Sequence, residues 1–241
     1  MNIPTADLRR LRFLLPLFLA GAASAQETGS TPAPAQKKEE ITMVRILCVQ
    51  SLTDEEQEVS LAKKSESGEW IMQGDIALRS PFIGPWMPAK PGTTHILEKK
   101  ADAWLPLGSF EIPAGVRRTI LILMPDATGK AYRVQTIDPA KLNFRKGKAL
   151  IVNYSRLPAV VMLGKKSTKI APGKQVVQDI VADEGGMYRL LIGHLGEGNR
   201  IIPCYDRYVS SREGTRKFIL LFPDPDTGLR AMSLSEFGPF E

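Results

Sequence analysis

One phrase occurs twice in this chain and limits the folds that the chain can adopt. The residues LILMPDATGK at 121–130 are followed, about 100 residues later, by LLFPDPDTGL at 220–229. The similarity extends upstream, where Gly115 precedes RRTILILMP and Gly214 precedes RKFILLFP. Such a period is too long for the units of a solenoid, so it predicts two copies of one domain.

The signals for secondary structure are those of β-strands. Short segments rich in Val, Ile, Leu, Tyr and Phe alternate with turn-forming sequences such as SESGE, PAKPG, APGK and DEGG. This pattern is typical of all-β sandwiches. We therefore predict an all-β fold with two tandem immunoglobulin-like β-sandwich domains, residues 43–138 and 148–241, joined by a hinge at 139–147. In the second domain, two strands should fold back about Gly164 and Lys165.

The repeated phrase places an unusually apolar strand before a tight turn in each copy. A strand with one face in a core and the other in water should alternate apolar and polar residues, yet TILILM and FILLF are apolar throughout. Both faces should therefore be covered, which makes Ile120, Ile122, Phe218 and Leu220 candidate interface residues. Either the two domains pack together through these strands, or a partner covers them.

The beginning of the chain predicts export. Three arginines precede a short apolar run that ends in small residues, which is typical of a signal peptide over residues 1–25. The run is too short to span a membrane, and Ala22 stands where a lipid-anchored protein would need Cys. Residues 26–42 are poor in apolar side chains and predict a disordered spacer. We expect a periplasmic or extracellular protein that neither spans a membrane nor carries a lipid anchor.

The chain is mildly basic. The formal net charge is +6, of which residues 1–25 carry +2, so the mature chain carries +4. An anionic surface polymer is therefore a possible partner in an envelope, as is an envelope protein. The basic residues are scattered in pairs such as Arg117 with Arg118, however, and solvated strand ends explain such pairs. Because no basic cluster or known module is present, nucleic acid is not expected as a partner.

Few residues suggest catalysis, a metal or a cofactor. His95 and His194 have no carboxylate or Cys at metal-ligand spacing. Asp224 and Asp226 alternate as in a calcium loop, but Ser235 occupies the place of the closing Glu, so a tight turn is expected. No cofactor is expected, no nucleophile-elbow motif occurs, and we predict that the protein is not an enzyme.

Cys48 and Cys204 are the only cysteines, and an exported setting allows a disulfide between them. Such a bond would link the two predicted domains. The alternative is that each is a free, buried thiol on a strand.

Residues 75–92, DIALRSPFIGPWMPAKPG, distinguish the first copy from the second. They predict a Pro-rich loop that carries Phe82, Trp86 and Met87. A rigid loop with an exposed Trp is a good recognition surface because little entropy is lost on binding. The alternative is that Trp86 fills the end of a sandwich.

The segments FRKGKALIVNYSRLPAVVMLGKKSTKIAPGK and YDRYVSSREGTRKFILLFPDPDTG resemble functionally uncharacterised exported bacterial proteins with tandem β-sandwich modules. That resemblance implies no activity. We predict a non-catalytic envelope protein that binds a protein or a surface polymer through the Trp-containing loop and the apolar hairpin strands. The alternative is an enzyme acting on envelope carbohydrate, with acids such as Asp102, Glu111 or Asp206.

Overall fold

The computed structural model describes residues 40–238 and residue 240, all within one compact unit. The predicted signal peptide and the spacer before residue 40 lie outside the described residues. The described chain forms sixteen strands and, apart from them, one 3-10 turn at Glu197–Asn199. The prediction of an all-β fold is confirmed.

The first eight strands form two sheets, which we call the first sheet pair. These strands are β1 (Thr42–Cys48), β2 (Gln57–Lys64), β3 (Trp70–Leu78), β4 (Phe82–Ala89), β5 (Gly92–Lys100), β6 (Ala103–Ile112), β7 (Arg118–Pro125) and β8 (Tyr132–Ile137). The next eight form the second sheet pair. They are β9 (Lys148–Asn153), β10 (Ala159–Leu163), β11 (Lys166–Ile170), β12 (Gln175–Asp179), β13 (Met187–Leu195), β14 (Ile201–Ser210), β15 (Thr215–Asp224) and β16 (Gly228–Phe237).

The two sheet pairs have the same strand order. The first contains β4-β1-β7-β8 and β3-β2-β5-β6, and the second contains β12-β9-β15-β16 and β11-β10-β13-β14. Neighbouring strands are antiparallel, except that β1 pairs with β7, and β9 with β15, in parallel. Constant-type immunoglobulin domains divide their strands as ABED and CFG. The strand order found here does not confirm the immunoglobulin-like part of the prediction.

Each sheet pair encloses its own apolar core, as in a β-sandwich. In the first pair, Val44 and Ile46 of β1 pack in one buried cluster with Val59 and Leu61 of β2. An equivalent cluster lies between the sheets of the second pair. Full burial of one such aliphatic side chain contributes about 1.5–3 kcal/mol, so these clusters hold each pair of sheets together.

A third cluster, which we call the junction cluster, packs β1, β7 and β8 against β9 and β15. It contains the buried residues Leu47, Val49, Ile120, Ile122, Met124, Ile137, Phe144, Leu150, Val152, Phe218 and Leu220. Alternate residues of β7 thus face different clusters: Leu121 and Leu123 lie in the first core, whereas Ile120 and Ile122 lie in the junction cluster. Both faces of this strand are covered, as its unbroken apolar sequence predicts.

The repeated phrase forms the hairpin turn that follows β7 and β15. In the second turn, Asp224 Oδ1 accepts hydrogen bonds from the backbone N–H of Thr227 at 2.8 Å and from its hydroxyl at 2.9 Å. In the first, Asp126 Oδ1 accepts them from the Thr128 hydroxyl at 2.8 Å and its backbone N–H at 3.0 Å. These hydrogen bonds hold the pKa of both carboxyls below the ordinary range. The predicted tight turn is confirmed.

A second hairpin, between β10 and β11, also forms where the sequence predicts. It turns at Gly164 and Lys165, and Gly164 has a φ of +62°. A Cβ at Gly164 would lie 2.5 Å from the carbonyl oxygen of Val181. Glycine is required both for the left-handed backbone and for this close approach.

Two segments are more ordered than the sequence indicates. Strand β1 begins at Thr42, inside the predicted spacer, where Thr42 is fully buried and its hydroxyl donates to the carbonyl of Val116 at 2.7 Å. The predicted hinge contains Phe144, which is only 2% exposed and belongs to the junction cluster. The apolar ring therefore anchors the connecting segment against both sheet pairs.

Candidate functional site

The prediction of a Trp-containing loop is wrong. Residues 82–89 form the edge strand β4, which pairs with β1. Met87 is 8% exposed and belongs to the first core, and Phe82 packs against that core. The sequence suggested a loop because of Pro85 and Pro88. Proline is tolerated on an edge strand, however, because one side of its backbone needs no hydrogen-bond partner.

Trp86 lies on the opposite face of β4 from Met87 and packs against the junction cluster. Two guanidinium groups lie over its ring, with the Cζ of Arg45 at 4.8 Å and that of Arg118 at 5.4 Å from the ring centroid. Its buried indole N–H has no hydrogen-bond acceptor among the described residues. Trp86 is therefore a half-buried residue of an edge strand, with two guanidinium groups over its ring, and it does not lie on a loop.

We expect that replacing Trp86 with alanine lowers the free energy of unfolding by at least about 2 kcal/mol, because it removes apolar packing and two cation–π contacts. Chemical denaturation followed by circular dichroism would measure the change. Tyr208→Ala is the control, since Tyr208 is 69% exposed and its loss should cost less than about 0.5 kcal/mol. Equal effects of the two substitutions would contradict the packing role of Trp86.

The four candidate interface residues lie together. Ile120 and Ile122 of β7 and Phe218 and Leu220 of β15 are all fully buried in the junction cluster. The residues of β7 and those of β15 pack in the same cluster within this chain. They are therefore not exposed on the surface.

A buried ionic network closes one edge of the junction cluster. Arg216 donates to both carboxylate oxygens of Glu236, from Nε at 2.6 Å and from Nη2 at 3.1 Å. Its Nη1 donates to the carbonyl of Phe144 at 2.8 Å. Arg45, from the first sheet pair, donates to the same Glu236 carboxylate. The rings of Phe144 and Phe240 each lie 4.5 Å from the Arg216 guanidinium, so the ion pair is shielded from water.

A cleft beside this network is the strongest candidate for a binding site. It has a volume of about 560 Å³, and we call it the arginine cleft because Arg117, Arg118, Arg145 and Arg216 line it. Arg117 and Arg145 are exposed, and the ion pairs among the described residues involve neither of them. Asp138 is the acidic residue of the lining, and its carboxylate already accepts backbone hydrogen bonds. The cleft therefore presents an excess of positive charge.

This site could not be predicted from the sequence. Arg117 and Arg118 form a basic pair in the sequence at the start of a strand. Such a pair is equally typical of a solvated strand end. Arg145 follows the turn between the sheet pairs, and Arg216 belongs to β15, about 70 residues further along the chain. The fold brings the three segments together, because β7 and β15 meet across the junction cluster.

The structure contains no bond between Cys48 and Cys204. Both thiols are free: Cys48 is buried in the first core, whereas Cys204 packs against the second. The two lie in different clusters, one in each sheet pair. Burial raises the pKa of the Cys48 thiol to about 11, which suppresses the reactive thiolate.

The residues considered for catalysis or metal binding are not brought together. His95 packs edge-on against Trp70, with ring centroids 5.0 Å apart, and His194 lies in the second sheet pair. Asp206 forms two hydrogen bonds with Arg189, at 2.8 and 2.6 Å. Glu111 accepts a hydrogen bond from a threonine hydroxyl, and Asp102 lies in an exposed turn. Among the described residues, no group of three potential ligands could hold a metal ion.

No family model and no curated protein matches the chain. Among solved structures, the chain is similar to a "putative cell adhesion protein" from Bacteroides uniformis, with 6% identity and a TM-score of 0.20. The match covers 81% of this chain and 97% of that chain, but so low a TM-score supports no inference. In the part of the chain that the structure describes, no helix has the length and hydrophobicity needed to cross a bilayer.

Proposed function

We propose that the protein is a non-catalytic, exported envelope protein that binds an anionic surface polymer in the arginine cleft. The observation that carries this proposal is the convergence of four arginines on one cleft of about 560 Å³. A cleft of this size is within the range of about 300–1,000 Å³ that is usual for ligand pockets.

The chemistry of the lining favours phosphate or carboxylate groups. A guanidinium presents several N–H donors in a planar fork that matches the oxygens of either group. Arg117 and Arg145 are available for such contacts, whereas Arg216 is held by Glu236 and forms the floor. A polymer that carries many anionic groups would gain from the mildly basic surface around the cleft as well.

The proposal also includes the domain organisation of the two sheet pairs. We propose that they are tandem domains derived from one duplicated β-sandwich, with the boundary in the segment after β8. The repeated phrase and the shared strand order support this division. The arginine cleft then lies where the two domains meet, so its geometry depends on the junction cluster.

The double substitution Arg117→Ala and Arg145→Ala should weaken binding of the mature protein to a soluble polyanion by at least about 10-fold, because hydrogen bonds to charged groups contribute about 1.5–3 kcal/mol each. Calorimetry with polyphosphate and with polygalacturonate would measure the loss and would distinguish phosphate from carboxylate. Added salt should weaken both interactions.

The matched control removes the same charge elsewhere, by Arg133→Ala and Arg156→Ala, since both residues are exposed and neither lines the cleft. This pair should reduce the affinity by less than about 3-fold, which corresponds to under 1 kcal/mol. Equal losses for the two pairs would show that binding is spread over the surface. Cleavage of polygalacturonate by the purified protein would overturn the non-catalytic assignment.

A further inference from the structure

A second hollow lies on the outer face of the sheet β3-β2-β5-β6, away from the arginine cleft. Its volume is about 450 Å³, and we call it the sheet-face groove. It is lined by Glu58, Val59, Ser60, Asp75, Ile76, Ala77, Lys99 and Trp104. All four strands contribute, and three strand spacings of about 4.8 Å give it a length of about 14 Å across the sheet.

Side-chain alternation along β2 explains why polar groups line this groove. Val59 and Leu61 point into the first core. Their neighbours Glu58 and Ser60 therefore belong to the other face of the sheet. Asp75 pairs with Ser60 across the strands, and the Ser60 hydroxyl donates to its carboxylate.

The groove combines an aromatic surface with hydrogen-bonding groups. Trp104 is half-buried at one end, and the ammonium group of the exposed Lys99 lies over its ring, 5.9 Å from the centroid. A ligand that stacks on this ring would displace the flexible Lys99 side chain toward the edge of the ring, where its ammonium group can donate. At the other end, the carboxylate of Glu58 has no hydrogen-bond partner among the described residues, and only one oxygen of Asp75 is used by Ser60. These groups provide acceptors and a donor around an indole ring.

This combination fits an uncharged sugar better than a polyanion. A pyranose ring has an apolar C–H face that packs on an aromatic ring, and its hydroxyl groups require both donors and acceptors at the edges. The groove carries two carboxylates and one ammonium group, a net charge of −1, so it would repel the polyanion that suits the arginine cleft. We propose that the sheet-face groove is a binding site for an uncharged polysaccharide.

The site is independent of the proposed function. Trp104 lies at the beginning of β6. The arginine cleft is instead lined by residues that follow the end of β6, beginning at Gly115. No residue lines both sites. A loss of polyanion binding should therefore leave the groove intact, and the reverse should also hold.

The test is affinity electrophoresis of the mature protein in gels containing dextran, galactomannan or soluble β-glucan. At least one polymer should retard the protein, and Trp104→Ala should weaken that interaction by 10-fold or more. Trp104→Phe should retain part of the binding, and Asp75→Asn should reduce it without changing the shape of the groove. Salt should have little effect, because no net ion pairing is involved.

Two controls make the result specific. Tyr208→Ala removes an exposed aromatic residue from the second sheet pair and should leave retardation unchanged. The variant that carries both Arg117→Ala and Arg145→Ala should bind the uncharged polymer as tightly as the unmodified protein does. Absence of retardation by every polymer would overturn the inference, and so would equal retardation of Trp104→Ala and the unmodified protein.

Discussion

Replacing Glu236 with alanine should lower the free energy of unfolding by about 3–5 kcal/mol, because it removes one partner of a buried ion pair and leaves the other charge uncompensated. The side chains of Glu236 and Arg216 are 1% and 2% exposed. Arg216 would keep its hydrogen bond to the carbonyl of Phe144 but would lose both bonds to the carboxylate. Arg45 would lose its buried partner at the same time.

Denaturant titration of purified variants would measure this effect, and a conservative substitution separates charge from shape. Glu236→Gln keeps the size of the side chain and one acceptor oxygen, but it leaves the Arg216 charge unneutralised. We expect it to be destabilised as well, by about 2 kcal/mol or more, since hydrogen bonds between charged groups are the stronger ones. A neutral effect of both substitutions would show that Arg216 is solvated, contrary to its burial.

The exposed ion pair between Arg189 and Asp206 is the matched control. It has two good hydrogen bonds, but its side chains are 41% and 39% exposed. Water screens such pairs, so Asp206→Ala should destabilise the protein far less than Glu236→Ala. The comparison isolates burial as the cause of the larger effect, because the chemical groups are nearly the same.

Several elements of the fold could be predicted because short-range rules dominate them. The β10–β11 hairpin forms about Gly164 because a left-handed turn position favours glycine. The turns after β7 and β15 form because Asp126 and Asp224 accept hydrogen bonds from residues just downstream. The burial of both faces of β7 follows from an apolar sequence that has no period of two.

The two proposed binding sites could not be predicted, because they depend on contacts between distant segments. Prolines in residues 75–92 suggested a loop, but pairing with β1 makes Phe82–Ala89 an edge strand in which Met87 is core. Trp104 carries no sequence signal of its own. It becomes part of a groove only because β6 lies beside β5 and shares a sheet with β2 and β3. Sheet topology, and not local sequence, determines both proposed sites.

Replacing Phe218 with alanine should also cost about 3–5 kcal/mol, the usual range for removal of a fully buried aromatic ring. Phe218 is 0% exposed in the junction cluster, and its ring packs against Phe144 at a centroid distance of 5.1 Å. The matched control is Phe237→Ala, because Phe237 is 55% exposed on the neighbouring strand β16. Its loss should cost less than about 0.5 kcal/mol.

This substitution also tests whether the junction cluster couples the two sheet pairs. All three tryptophans, Trp70, Trp86 and Trp104, belong to the first sheet pair, whereas Phe218 belongs to the second. Tryptophan fluorescence during denaturation therefore reports on the first sheet pair through Trp70 and Trp104, and also on the junction cluster through Trp86. If the junction cluster is a shared core, Phe218→Ala should lower the midpoint of the fluorescence transition together with that of circular dichroism. An unchanged fluorescence midpoint would show that the first sheet pair is stable without the second, and that the junction contributes little to holding the arginine cleft in shape.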